Sequence, residues 1–132
     1  MTVSPGHPIR VLIVDDEVDY AETLAKRLGS RGLEVETAFD GGSALRRMES
    51  LRGGFDVVLL DCNMPDMSGL NVLQRIRESY PLVQVIIITG YGKASLGLDG
   101  MRLGAVDFIT KPIDFDSLVT AVQAAAEGST KI

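Results

Sequence analysis

Three short runs of unbroken apolar residues, each closed by a polar one, constrain this chain more than any other feature. Ile9 to Val14, with a single arginine at its second position, is followed by Asp15 and Asp16; Val57 to Leu60 is followed by Asp61; Val85 to Ile88 is followed by Thr89. Successive side chains of a strand point to opposite faces of its sheet, so a strand with one wet face alternates apolar and polar residues. Runs without alternation are apolar on both faces, as in parallel sheets covered by helices on both sides. Weaker strands are expected at Leu33 to Ala38 and at Val106 to Ile109, with Lys111 just beyond the second.

Segments of helical period separate these runs. Val18, Ala21, Leu24, Ala25 and Leu28 share one face of the first, and Ala44, Leu45, Met48 and Leu51 share one face of the second. Leu70, Leu73 and Ile76 mark a third; Phe115, Leu118, Val119 and Val122 mark the last, with Asp114 placed to cap it and Gly128 to stop it. The segment from Lys93 to Leu103 is the weakest helix, because Gly97 and Gly100 each cost about 1 kcal/mol relative to alanine in a helix interior. A marginal, mobile element is expected there, unless packing alone carries the two glycines. Strand and helix alternate through five repeats, which predicts an α/β fold with an open, doubly wound parallel sheet. Alternation does not fix the order of the strands.

With 132 residues the chain has room for one ordinary domain, read as residues 9–127 between tails at 1–8 and 128–132. No apolar run is long enough to span a bilayer, and the first residues lack the layout of a secretory signal, so no membrane association and a cytoplasmic location are expected. Cys62 is the single cysteine, which excludes an internal disulfide and fits a reducing compartment. A net charge of −5 makes the chain a poor partner for a nucleic-acid backbone, so direct nucleic-acid binding is not expected.

Open parallel sheets bind ligands beyond the carboxyl ends of their strands, which brings Asp15, Asp16, Asp61, Thr89 and Lys111 to one edge. Three carboxylates gathered there repel one another and require a cation or a raised pKa. Magnesium suits them, since it takes an oxygen shell with few carboxylates and bridges readily to phosphate. A carboxylate is ionised at neutral pH and needs no general base to act as a nucleophile, which makes Asp61 the natural phosphate acceptor. Magnesium and the Lys111 ammonium then neutralise charge, and the Thr89 hydroxyl meets a phosphoryl oxygen, with the small Gly90 leaving room beside it. A cis peptide bond before Pro112 is expected to aim Lys111 inward.

Taken singly, these residues have blander readings. An Asp-Asp pair after a strand serves equally well as a helix cap; the conjunction of the pair with Asp61, Thr89 and Lys111 favours chemistry. Cys62 reads as a small buried hydrophobe rather than a redox sensor. His7 sits in a tail containing Pro and Gly and receives no role. Asp66 and Met67 fall in a turn, where Ser68 is placed to cap the third helix.

The segments VLIVDDE, VVLLDCNMPDMSGL, VIIITGYG and GAVDFITKPID, agreeing in order and spacing, resemble the receiver domains of bacterial two-component response regulators over roughly Ile9 to Glu127. The resemblance implies a flavodoxin-like fold with sheet order 2-1-3-4-5 and five helices. It implies that Asp61 is the phosphorylated aspartate, that Asp15 and Asp16 bind magnesium together with Asp61, and that Asn63 adds its backbone carbonyl. Thr89 and Lys111 match the residues that contact the phosphoryl group, and Phe108 matches the aromatic that changes rotamer with Thr89 on activation. The implied phosphodonor is a histidine kinase or histidine phosphotransfer protein, with small acyl phosphates as substitutes. The implied target is a downstream protein or a fused output domain, reached as a monomer or a phosphorylation-dependent dimer through the fourth helix, fifth strand and fifth helix. Such a domain phosphorylates and dephosphorylates itself and is not a turnover enzyme. Tyr91 and Asn63, two residues after Thr89 and Asp61, are expected to shield the acyl phosphate from water.

Two other readings compete. One is a phosphate-independent module that keeps the fold, against which the intact set of site residues stands. The other is a magnesium-dependent aspartyl-phosphate phosphatase of the haloacid-dehalogenase kind, whose Asp-x-Asp nucleophile element has no counterpart at Asp61.

Overall fold

The three apolar runs become the middle of a parallel sheet, in a computed structural model that describes residues 8–62, 69–90 and 94–129. The strands are β1 (Arg10–Val14), β2 (Glu34–Ala38), β3 (Val57–Asp61), β4 (Gln84–Thr89) and β5 (Asp107–Thr110). Their order is β2-β1-β3-β4-β5, and every neighbouring pair is parallel. β1 therefore has β2 on one side and β3 on the other, and the winding direction reverses between β1 and β3, where such sheets bind their ligands. Asp61 and Thr89 are the last residues of their strands rather than the first beyond them.

The helices are α1 (Val18–Gly29), α2 (Gly41–Ser50), α3 (Gly69–Ser79), α4 (Ala94–Arg102) and α5 (Phe115–Ser129). Two apolar cores lie on the two faces of the sheet. Val11, Ile13, Leu59 and Ile86 pack with Leu24 and Leu28 of α1 and Leu118 and Val122 of α5. Leu12, Val14, Leu60 and Ile87 pack with Met48 of α2 and Leu73 and Ile76 of α3, and Leu96 of α4 leans on this second cluster. Neighbours along β1 thus enter opposite cores, which is why that strand carries no polar alternation.

Local chemistry explains where the helices begin and end. Asp40 caps α2 by accepting a hydrogen bond from the Ser43 N–H at 2.6 Å, and Leu51 follows the last helical residue instead of extending the face. Asp114 caps α5 as expected, accepting from the Ser117 N–H at 3.1 Å. Gly128 does not stop α5, which continues to Ser129. A glycine ends a helix by turning left-handed, and Gly128 is not among the glycines with positive φ, whereas Gly104 just beyond α4 is, at φ 106°.

In α4 the glycines are points of contact. A Cβ on Gly97 would overlap the ring of Phe108, and one on Gly100 would lie 2.7 Å from Cγ1 of Ile87. Only residues without a side chain let this helix lie so close to β4 and β5, which offsets their poor helix propensity. Among the described residues, no helix is long and apolar enough to cross a membrane.

Candidate functional site at the carboxyl edge of the sheet

Three carboxylates meet above the β1–β3 junction. One oxygen from each of Asp15, Asp16 and Asp61 lies within 4.8 Å of the others. Asp15 and Asp61 are only 3% and 4% exposed, and Asp16 faces solvent. The strand ends are held in register by the backbone: the N–H of Asp15 donates to Ala38 at 3.0 Å, that of Cys62 to Ile88 at 3.2 Å and that of Lys111 to Thr89 at 2.8 Å. Asp15 also accepts the N–H of Glu17 at 2.9 Å, which anchors the chain as it turns into α1.

Lys111 crosses from the far end of β5, and its peptide bond to Pro112 is cis. Its Nζ lies 3.7 Å from Oδ2 of Asp15 and 3.2 Å from Oε1 of Glu17, and 4.6 Å from the centre of the Tyr20 ring. Thr89 is fully buried, yet its Oγ1 has no hydrogen-bond partner, the one buried side-chain polar atom so placed among the described residues. An unpaired buried hydroxyl costs about 1–3 kcal/mol, so this edge lacks an acceptor or donor that a ligand can supply.

The charges shift one another. Burial pushes the Asp15 carboxyl up from 3.8 to about 6; the Glu17 N–H and Lys111 oppose the rise, while the charge of Asp61 and a side-chain hydrogen bond with it add to it. Burial lowers the Lys111 pKa, but Asp15, Asp61 and Glu17 outweigh burial and hold it above the usual lysine value. The Cys62 thiol is pushed up to about 11 by burial and by the charge of Asp61, so it stays protonated at neutral pH and is a poor nucleophile. Two buried acids, a third at the surface and a single lysine leave negative charge in excess, and every donor is a hard oxygen. That set fits a small divalent cation with oxygen ligands.

Of the residues expected at this edge, Asp15, Asp16, Asp61 and Lys111 come together. Thr89 is one register step beyond the partner of Asp61, because Asp61 pairs with Ile88. Phe108 is apart from the acids, opposite Ile87 in the sheet, with its ring against Gly97. Asn63, Asp66, Met67, Ser68, Tyr91 and His7 lie outside the described residues. No motif in the sequence marks Glu17 and Tyr20, although both touch Lys111. Their signal was present in a weak form, as an acid and an aromatic three residues apart at the start of the helix that follows the acidic pair.

Known proteins of the same kind supply the context. The family model described as "Response regulator receiver domain" matches residues 11–123. The chain is 37% identical over 124 residues to the transcriptional regulatory protein DltR of Streptococcus agalactiae (serotype III, strain NEM316), covering 94% of this chain and 54% of the relative. It is 37% identical over 110 residues to the chemotaxis protein CheY of Treponema pallidum (strain Nichols), covering 83% of this chain and 76% of CheY. The chain thus spans about half the length of a relative such as DltR. Among solved structures, the receiver domain of NtrX from Brucella abortus superposes with a TM-score of 0.82 at 36% identity, over 89% of this chain and 98% of that one. A receiver domain protein from Clostridium thermocellum gives 0.85 at 31% identity, over 89% of this chain and 94% of that one.

Proposed function

This chain belongs to the family of response regulator receiver domains, and we propose that it is a phosphorylation-activated switch that takes a phosphoryl group on Asp61. The observation that carries this reading is the edge itself: Asp15, Asp16 and Asp61 gathered within 4.8 Å, Lys111 within 3.7 Å of Asp15, and a buried Thr89 hydroxyl without a partner.

In the proposed reaction an Asp61 oxygen forms a bond to phosphorus while the donor's bond to the same phosphorus breaks, and the leaving group departs with the electron pair. A carboxylate nucleophile requires no general base. Lys111 offsets the charge gathering on the phosphoryl oxygens, and Thr89 gains the partner that it lacks. Asp15, Asp16 and Asp61 are the residues that would hold magnesium, with the backbone of Asn63 assigned to it from the sequence. When bound, the ion neutralises the carboxylates and the phosphoryl oxygens. Phe108 and Thr89 are proposed to carry the change to α4.

The phosphodonor in this reading is a histidine kinase or histidine phosphotransfer protein, and the setting is cytoplasmic. The target is a downstream protein or a fused output domain. DltR is named as a transcriptional regulatory protein and is longer than this chain, so DNA contact, where it occurs, is assigned to another segment or partner.

The test is intact mass after incubation with acetyl phosphate and magnesium, for wild type and Asp61→Asn. One phosphate per chain is expected on wild type and none on the variant. Failure of wild type to gain phosphate from acetyl phosphate or from any kinase overturns the reading in favour of a phosphate-independent module. Sustained hydrolysis of unrelated phosphoesters would favour a phosphatase.

A further inference from the structure

Lys111 is held by Asp15 after β1, Glu17 at the N-cap of α1 and Tyr20 in its first turn, and its nearest anion is outside the acidic cluster. The Glu17 oxygen is 3.2 Å from Nζ, within hydrogen-bond reach, whereas the Asp15 oxygen is 3.7 Å away, an ion pair without a hydrogen bond. Glu17 and Tyr20 are three residues apart at the beginning of α1, so both reach the same ammonium, one by charge and the other by the face of its ring at 4.6 Å. The Glu17 carboxylate does no capping work for the helix, as Glu17 occupies the N-cap position without a side-chain cap hydrogen bond. Its side chain is 65% exposed, against 23% for Lys111.

We propose that Glu17 is a positioning residue that restrains phosphorylation, by tethering the Lys111 ammonium that must exchange Glu17 for phosphoryl oxygens when Asp61 is modified. The proposal rests on the reading of Asp61 as phosphate acceptor. Two effects act in the same direction. Glu17 competes with the incoming group for the ammonium, and its own charge repels an anionic phosphodonor as it approaches. Removing the charge frees the lysine and lowers the repulsion, while the Tyr20 ring still faces the ammonium. An exposed ion pair of this kind is weak, so the expected gain is about two- to five-fold in rate rather than orders of magnitude.

The variant is Glu17→Gln in the whole chain, with Glu17→Asp as the charge-conserving control. The first readout needs no phosphorylation: nitrogen-detected or ammonium-proton NMR of lysine side chains, with the Lys111 signal identified by its loss in Lys111→Arg. In Glu17→Gln the Lys111 ammonium should exchange faster with water and become more mobile. An unchanged signal overturns the tether. The second readout is the second-order rate constant for acetyl phosphate at saturating magnesium. It should rise about two- to five-fold in Glu17→Gln, with a smaller rise at high salt, and return toward wild type in Glu17→Asp. A rate that is unchanged or lower overturns the restraint even if the tether is real. If no form of the chain accepts phosphate, the reading of Asp61 fails and the restraint on transfer fails with it, while the ammonium spectra still decide the tether.

Discussion

The carboxyl edge of the sheet has two walls, α1 on one face and α4 on the other, and they are held in opposite ways. α1 buries Ala21, Leu24 and Leu28, starts from the N–H that Asp15 accepts, and presents Glu17 and Tyr20 to Lys111. α4 meets the sheet through missing side chains, Gly97 beneath Phe108 and Gly100 against Ile87, and it leaves Leu98 and Met101 exposed. The first wall is fixed by buried apolar volume. The second is fixed by closeness of approach, which removes less apolar area from water. The lesson is a division of labour: the groups that bind charge sit on the firm wall, and the residues proposed to relay the change sit beside the soft one. Local opening should follow the same division, since segments with few buried apolar contacts open at lower cost.

The largest expected effect contrasts one leucine from each wall. Leu28 is fully buried and Leu98 is 53% exposed. Leu28→Ala should destabilise the fold by about 2–5 kcal/mol, by lost transfer energy and the cavity left behind. Leu98→Ala should stay within about 0.5 kcal/mol. Denaturant midpoints measure both. Similar losses at the two positions would break the comparison, because α4 would then be held as firmly as α1.

A smaller effect, of opposite sign, concerns the charge at the base of α1. The folded chain keeps a proton on Asp15 up to pH of about 6, whereas a free carboxyl releases it near 3.8. Between these values the folded state binds more protons, so stability falls as pH rises from about 4 to about 6 and levels off above. Removing the charge by Asp15→Asn should therefore stabilise the metal-free protein at pH 7 by about 1–3 kcal/mol, taking 1.36 kcal/mol per pKa unit as the upper scale. The gain should shrink toward pH 4. Magnesium should raise the melting temperature of wild type more than that of the variant. A variant less stable than wild type at pH 7 would show that the pairing of Asp15 with Lys111 outweighs its burial.

How much of this was legible beforehand differs between the walls in the same way. Unbroken runs such as Val57 to Leu60 announced buried parallel strands, because burial on both faces leaves no place for polar alternation. The acids and Lys111 were legible because strand ends in an open sheet share one edge, so four residues from three separate strand ends could be placed together without coordinates for any of them. The strand order came from the family resemblance and the sheet reproduces it, since alternation of strand and helix permits several orders. The contacts of Glu17 and Tyr20 were not legible: which side of α1 faces Lys111 depends on how that helix packs, and an exposed acid at a helix start is ordinary. By propensity alone Gly97 and Gly100 are chiefly costs to a helix, because propensity describes an isolated helix and says nothing of what lies beneath it.

The smallest expected effect tests that last point directly. In an isolated helix Gly97→Ala should be favourable by about 1 kcal/mol. In this fold the new methyl would overlap the Phe108 ring, and overpacking of that kind costs about 1–3 kcal/mol. The balance is a net loss of about 0–2 kcal/mol, which the single variant alone does not assign to the ring. Replacing Phe108 by Leu as well should recover most of it, giving a coupling between the two positions that Gly97→Ala in an unpacked helix could not show. Amide exchange should rise in α4 and not in α1 for the single variant, because α1 packs on the other face of the sheet. A Gly97→Ala protein that is more stable than wild type, with no coupling to Phe108, would mean that α4 does not rest on the ring, and that the glycine is merely a weak point in a helix held elsewhere.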